Sequence, residues 1–234
     1  MTESKLTIIE HLNELRRRMI ISLAALAVTT AISFPLSGYT LKIFKLPASG
    51  LIKTLAFFGP ADAFAIHLRI ALLSGLIIAL PLILYQIWAF IAEVIEEKYR
   101  HYSFQFIAFC LVAFISGCLF CYFLLLPAAL SFLLNFAKTD LVAVISAQKY
   151  ISFVLGLMIG CALTFEMPVL SFILTKVGLI NARYLRRKRK FAVLFIFITA
   201  AMITPTTDAF NLMILALPML VLYEFSIYIS RWTR

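Results

Sequence analysis

Charged side chains are scarce in this sequence. Only 14% of the 234 residues are Asp, Glu, Lys or Arg, while 63% are hydrophobic. A soluble domain carries about 25% charged residues, so the composition excludes a soluble globular protein and indicates an integral membrane protein. We also expect no cleavable signal peptide, because no small-residue cleavage site follows the first apolar run and the N-terminus carries Glu3, Glu10 and Glu14.

The residue sets of enzymes and metal sites are also missing. There is no P-loop, and no Ser, His and Asp are spaced for an intramembrane protease. The three histidines are scattered near the ends of apolar runs, at 11, 67 and 101. The four cysteines all lie inside apolar runs, where thiols behave as small hydrophobic side chains: Cys110, Cys118, Cys121 and Cys161. We therefore expect no catalytic site, no cofactor and no metal.

Six apolar runs predict an all-α membrane protein with six transmembrane helices. A span needs about 20 apolar residues, and the predicted spans cover about 19–36, 65–92, 104–126, 150–177, 191–203 and 209–229. The whole of 1–234 is then a single six-span domain, with an N-terminal amphipathic segment at 5–18. The loop between the first two spans is moderately apolar, so we expect short helices there.

The last two predicted helices are short. The run at 191–203 would cover about 20 Å of a hydrocarbon core that is roughly 30 Å thick. The run from Ala209 is interrupted by Glu224 after a similar length. Such helices require local thinning of the bilayer or burial against longer neighbours.

The basic residues are unevenly distributed among the predicted loops. Most lie in the N-terminal segment, after the second span, at the C-terminus and in the run Arg186–Lys190. Positive charge marks the cytoplasmic side, so both termini are expected to be cytoplasmic. The net charge of +10 then comes from these basic loops, which face anionic membrane lipids, and does not indicate a nucleic-acid partner. The absence of an internal repeat counts against transporter folds built from inverted repeats.

Acidic residues on this basic face need an explanation. Six of the eleven acidic residues fall in two predicted cytoplasmic segments: Glu3, Glu10, Glu14, Glu93, Glu96 and Glu97. Segments that flank adjacent spans can meet and form an acidic patch. Its natural ligand is arginine, which binds carboxylates through two parallel hydrogen bonds. The alternative is a set of local ion pairs, such as Glu14 with Arg18, which contribute little to stability.

Two further polar features lie within or beside apolar runs. Glu166 is a carboxylate inside the fourth run, where a charge is costly and by default marks a function. It either lines a cavity, meets a polar partner helix, relays protons or is satisfied by a neighbouring helix. The turn Thr204–Asp208 is expected to cap the last helix and to offer polar groups to a partner helix.

Several motifs in order along the chain resemble those of a known family. They are H-L-N-E-L-R-R-R at 11–18, P-A-D-A-F at 60–64, P-L-I-L-Y-Q-I-W-A-F at 81–90, F-E-M-P at 165–168, L-R-R-K-R at 185–189 and Thr204-Pro205 with Asp208. In this order, on six apolar runs, the chain is similar over nearly its whole length to the TatC family. TatC is the multispanning core subunit of the twin-arginine protein translocase.

The resemblance implies a receptor for folded substrates that carry a twin-arginine signal peptide. Signal-peptide contacts are then expected at Glu14 and Arg16, with Glu10 one turn away, and at a loop glutamate. Small single-span TatA-like and TatB-like subunits are expected near Glu166, Thr204 and Asp208, and the complex is expected to hold several copies of this chain and to use the proton-motive force. The expected location is the inner membrane of a prokaryote or an energy-transducing organelle membrane. The residue-based alternative is a proton- or ion-coupled transporter of a small solute that uses Glu166.

The loop after the second span departs from the family's pattern. Counting from Trp88, this chain has Tyr99 at the position of the family's arginine-binding glutamate. Glu96 and Glu97 lie just before it, and we expect one of them to replace the missing carboxylate. The family's motifs also contain Pro81, Pro168 and Pro205, which are expected to be structural; Pro81 lies inside the second span and is expected to kink it.

Overall fold

The structure, a computed structural model, describes residues 8–49, 52, 55–92, 103–136, 144–176, 178, 180–203 and 209–232. These residues are almost entirely helical, which confirms the predicted all-α class. The helices are α1 Ile8–Ser33, α2 Ser37–Lys45, α3 Pro60–Ala92, α4 Ser103–Phe120, α5 Leu126–Phe136, α6 Ala147–Phe165, α7 Met167–Lys176, α8 Ala182–Arg187, α9 Arg189–Ile203 and α10 Ala209–Trp232. Two short strands, β1 Leu55–Ala56 and β2 Ile145–Ser146, pair in parallel.

Helix α1 is one continuous helix across the boundary between the amphipathic segment and the first apolar run. Its 26 residues extend about 39 Å. The described part of segment 5–18, residues 8–18, therefore belongs to the same helix as the first apolar run. No proline or glycine interrupts the sequence at this boundary, so nothing in the backbone requires a break.

Two later helices are interrupted at prolines without ending there. The third apolar run was predicted to end at Pro127, but the chain passes through a π-helical segment, Cys121–Leu125, and continues as α5 to Phe136. Pro127 has no backbone N–H to donate, and the wider π-helical turn before it lets the helix continue without that hydrogen bond. In the fourth run, Glu166 occupies a turn between α6 and α7, directly before Met167 and the buried Pro168.

The two C-terminal helices differ in length. Helix α9 has 15 residues, about 22 Å, as short as predicted. Helix α10 runs through Glu224 to Trp232 and has 24 residues, about 36 Å. The prediction of a short last helix is therefore wrong. Helix α10 continues past Glu224 because the Glu224 carboxylate is paired with Arg189 on α9 at 2.6 Å, so its charge does not terminate the helix.

Five helical stretches of the described chain are long and apolar enough to cross a membrane. They are His11–Ala48, Pro60–Phe90, Phe104–Leu134, Ala147–Lys176 and Leu212–Trp232. Large hydrophobic side chains cover much of their outer surface, as expected for a protein that faces lipid; examples are Leu23, Val28, Phe109, Phe123 and Leu217. A sixth crossing by the shorter α9 stays a prediction.

The centre of the bundle is formed by α3, α4 and α6. Side chains at most 2% exposed come from all three helices and include Ile70, Leu73, Cys110, Ile151, Val154 and Leu157. All four cysteines are buried and none forms a disulfide. At one end of the bundle the first loop forms the predicted short helix α2, which is held by Tyr122 and Tyr150: their hydroxyls donate to the carbonyls of Ile43 and Phe44 at 2.9 and 2.6 Å.

Helices α1 and α3 approach each other closely at Gly75. The Thr29 hydroxyl donates to the Gly75 carbonyl at 2.9 Å. A Cβ atom added at Gly75 would lie 2.6 Å from the backbone nitrogen of Thr30. Only glycine fits this contact without moving one of the two helices.

We expect Gly75→Ala to lower the midpoint of thermal unfolding in detergent, at a cost of about 1–3 kcal/mol, the range typical of overpacking. The matched control is Gly38→Ala in α2, where an added Cβ meets no atom within 4 Å. This control should be neutral or slightly stabilising, because alanine favours helix over glycine. Equal midpoints for the two variants would contradict the close α1–α3 contact.

Candidate functional site

Glu14 lies on α1 and is held by an arginine one turn later. Its Oε1 is 2.8 Å from Nη2 of Arg18, and the Arg18 side chain is only 17% exposed, whereas that of Glu14 is 30% exposed. Nη1 of Arg18 donates to Oε1 of Gln86 on α3 at 3.4 Å. The arginine thus lies in the α1–α3 interface, and the carboxylate that it orients remains partly open to its surroundings.

A second contact fixes the same end of α1. The His11 ring stacks on Phe90 near the end of α3, with ring centroids 4.5 Å apart and planes 24° apart. Because Phe90 lies near the end of α3, Glu14 is close to the end of α3 that precedes residues 93–102. Arg16 and Arg17 are exposed on the same helix. The described start of α1 therefore presents a carboxylate beside a basic surface.

The local ion pair between Glu14 and Arg18 is present, but it does not exhaust the carboxylate. The contact uses Oε1, while a carboxylate offers two oxygens and about four acceptor directions. A partly exposed pair at this spacing contributes only about 0.3–0.5 kcal/mol. A second guanidinium can therefore bind Glu14 without a large cost from losing or sharing Arg18.

Several predicted site residues cannot be compared with the structure. Glu96, Glu97, Tyr99, Thr204, Pro205 and Asp208 lie outside the described residues. Glu10 belongs to α1, but its side chain is also outside what is described. Pro81 lies within the continuous helix α3 on its exposed side. The structure therefore places Glu14 and Arg16 on one helix and Glu166 in another part of the bundle.

Glu166 is a buried carboxylate at the α6–α7 turn. It is 9% exposed, and neither carboxylate oxygen has a hydrogen-bond partner among the described residues. The thiol of Cys110 on α4 faces it, but a thiol is a weak donor and the pair does not reach hydrogen-bond geometry. One interpretation of the sequence was that a neighbouring helix of this chain forms hydrogen bonds with the Glu166 carboxylate. The described residues do not support that interpretation.

The close approach of α4 explains this isolation. A Cβ atom on Gly117 of α4 would lie 2.8 Å from Cα of Ala162 on α6. Ala162 is one turn before Glu166 and so lies on the same face of α6. Helix α4 therefore covers the carboxylate with apolar atoms. A buried polar group without a partner carries a desolvation cost, which a polar group from another chain would reduce.

A second cluster ties the basic segment to the last helix. Nη2 of Arg189 meets Oε2 of Glu224 at 2.6 Å, and the Tyr223 hydroxyl donates to the Leu185 carbonyl at 2.8 Å. These contacts hold α8, α9 and α10 together. Sequence reasoning missed this cluster and also Gln86 and Phe90, although both of the latter lie within the motif at 81–90 that it had singled out.

Comparisons with known proteins agree on one family. Residues 10–218 match the family described as "Sec-independent protein translocase protein (TatC)". The chain is 36% identical over 234 residues to the protein of that name from Carboxydothermus hydrogenoformans, with 100% of this chain and 96% of the relative covered. It is 37% identical over 229 residues to the one from Aquifex aeolicus, with 95% and 93% covered.

A solved structure has the same fold. The crystal structure of the twin arginine translocase receptor TatC superposes with a TM-score of 0.87 at 36% identity. The superposition covers 96% of this chain and 99% of that chain. The helical arrangement described above is thus similar to that of an experimentally determined receptor.

We expect Glu166→Met to stabilise the isolated chain by about 1–3 kcal/mol, because it removes a buried group without a described partner at similar volume. The measurement is the midpoint of thermal unfolding in detergent. The matched control is Glu224→Met, which removes a paired and half-exposed carboxylate and should give no gain or a loss below about 1 kcal/mol. A lower midpoint for Glu166→Met than for the control would mean that the carboxylate has a stabilising partner.

Proposed function

Because this chain belongs to the TatC family of Sec-independent protein translocases, we propose that it is the receptor that binds twin-arginine signal peptides. TatC proteins are components of a translocase and carry out transport, not enzymatic chemistry. The chain is a multi-pass membrane protein, and we place it in the inner membrane with both termini in the cytoplasm.

The observation that carries the proposal is the orientation of Glu14. Its carboxylate is fixed by Arg18, which is itself held against Gln86 on the neighbouring helix. A fixed carboxylate loses less conformational freedom on binding than a mobile one. An arginine of the signal peptide can then form charge-assisted hydrogen bonds with it. Arg16, exposed two residues later, and Glu10 complete the recognition helix in this proposal.

The second part of the proposal concerns partner subunits. Glu166 is buried without a described partner, and the short helix α9 lies beside α10, to which Arg189 and Glu224 connect it. A polar residue of a TatA-like or TatB-like single-span helix would satisfy such a carboxylate within the membrane. Thr204 and Asp208 would contribute to the same contact. Several copies of this chain with these subunits would export folded proteins by using the proton-motive force.

The alternative of a small-solute transporter has less support. A transporter site is expected near the middle of the membrane in a cavity lined by the coupling residue. An apolar cavity is bordered by Phe165 and Pro168, but the Glu166 carboxylate between them does not line it. The proposal of a translocase receptor therefore accounts for more of the molecule.

We expect Glu14→Gln to weaken binding of a twin-arginine signal peptide by roughly tenfold or more, the effect of losing one charged hydrogen-bond partner. The measurement is photo-crosslinking of a labelled signal peptide to the full chain in membranes, titrated with peptide. Glu224→Gln is the matched control, because it removes a carboxylate elsewhere on the chain, and it should leave crosslinking unchanged. Wild-type crosslinking in Glu14→Gln membranes that contain normal amounts of protein would refute the role of Glu14.

The loop carboxylate is tested separately. We expect the double variant Glu96→Gln, Glu97→Gln to lose most crosslinking, because it removes the acidic group proposed to replace the one missing at Tyr99. Adding Tyr99→Glu to the double variant should restore crosslinking, since it returns a carboxylate to the family's position. Full crosslinking in the double variant would refute this assignment, and would leave the prediction for Glu14 intact.

A further inference from the structure

An apolar groove runs between α4, α7 and α10. Its volume is about 400 Å³. The wall from α4 includes Phe109 and Val112, and the walls from α7 and α10 include Phe172 and Phe225. Trp88 from the end of α3 closes one side and packs against Phe106 with ring centroids 4.7 Å apart. Such a surface of aromatic and aliphatic carbon is suited to a hydrocarbon chain.

The groove continues towards the C-terminal end of α10. A second cavity of about 590 Å³ shares Phe172, Phe225 and Ile229 with the first, so the two are contiguous. It ends at Tyr228 and Trp232, and Trp232 is 94% exposed. Tyrosine and tryptophan are the residues that occupy the boundary between lipid tails and headgroups. This end of the groove is therefore its opening at the membrane interface.

Two cations stand at this opening. Lys176 ends α7 and lines the first cavity, and Arg231 lines the second. The Lys176 ammonium lies 5.2 Å from the centre of the Phe172 ring, over the groove wall. None of the described residues that line either cavity is acidic. The groove thus combines a long apolar interior with a positively charged mouth.

We propose that this groove binds an anionic phospholipid, with an acyl chain along the apolar walls and the phosphate between Lys176 and Arg231. Basic pockets between membrane helices are a recurring site for anionic headgroups. The twin arginines of a signal peptide are the wrong occupant for this mouth, because like charges brought together are unfavourable. The site is independent of Glu14, whose carboxylate does not line the groove.

The chain contains its own probe of the groove. It has two tryptophans, and Trp232→Phe leaves Trp88, which lines the groove and is only 5% exposed. Bromine atoms on a lipid acyl chain quench tryptophan fluorescence on contact. The experiment compares two bilayers of identical composition, a minority of phosphatidylglycerol in phosphatidylcholine. In one the phosphatidylglycerol is brominated, and in the other an equal amount of phosphatidylcholine is brominated.

We expect Trp88 to report roughly a thirtyfold preference for the brominated phosphatidylglycerol, the size that two basic residues supply. Lys176→Gln with Arg231→Gln should abolish the preference. The matched control, Arg183→Gln with Lys190→Gln, removes two exposed cations that do not line the groove and should retain it. Ala113→Phe, which fills the groove with a side chain from α4, should reduce quenching by both lipids while leaving the Trp88 emission maximum unchanged.

Three outcomes would overturn the proposal. Equal quenching by the two brominated lipids would mean that the groove does not select the anionic headgroup. An equal loss in the control variant would mean that the charge of the whole membrane face, and not the groove, attracts the lipid. Relief of quenching by a twin-arginine peptide, at concentrations that saturate the receptor, would identify the groove as a peptide site.

Discussion

The contact between α1 and α3 at Gly75 determines how the end of α1 that carries Glu14 is positioned. The missing side chain lets Thr30 approach the α3 backbone, and Thr29 secures the position by a hydrogen bond. From this point the two helices run antiparallel, and successive contacts bring Arg18 to Gln86 and His11 to Phe90. The direction of the Glu14 carboxylate follows from this register, because Arg18 connects it to α3.

A second close approach has the opposite consequence for another carboxylate. Gly117 lets α4 lie against Ala162 of α6, and this contact leaves Glu166 facing Cys110 and apolar surface. Glu14 is thus supported by a cation and partly exposed, whereas Glu166 is buried without a described partner. In both places a glycine shortens the distance between two helices. The result at Glu14 is a carboxylate suited to a soluble cationic ligand, and the result at Glu166 is one suited to a contact inside the membrane.

Much of this arrangement could be predicted from the sequence, because hydrophobic composition is a local property. The all-α class, the short α9 and α2, and the positions of Glu14 and Glu166 relative to the apolar runs all follow from it. Features that depend on contacts between distant segments could not be predicted. The helix continues past Glu224 because Arg189, on another helix, neutralises it. The third apolar run stays helical past Pro127 because the π-helical turn before it compensates for the hydrogen bond that proline cannot donate. The groove is lined by α4, α7 and α10 together with Trp88 of α3 and Phe165 of α6, and the sequence of any one of these helices does not predict it.

If both proposals hold, the end of the bundle that carries Glu14 binds two ligands of opposite charge, a cationic peptide and an anionic lipid. Its excess of lysine and arginine attracts anionic lipid and opposes a cationic peptide. An isolated carboxylate in this field would be neutralised by whichever cation is nearest, and Arg18 occupies that place. Because Arg18 is only 17% exposed and also contacts Gln86, it keeps Glu14 oriented without covering it. The cations of the groove lie on α7 and α10, away from the α1–α3 interface. Under the two proposals, the Glu14 carboxylate on α1 would take the peptide arginine and the groove cations on α7 and α10 would take the lipid phosphate, so that one membrane face could hold both ligands at separate sites.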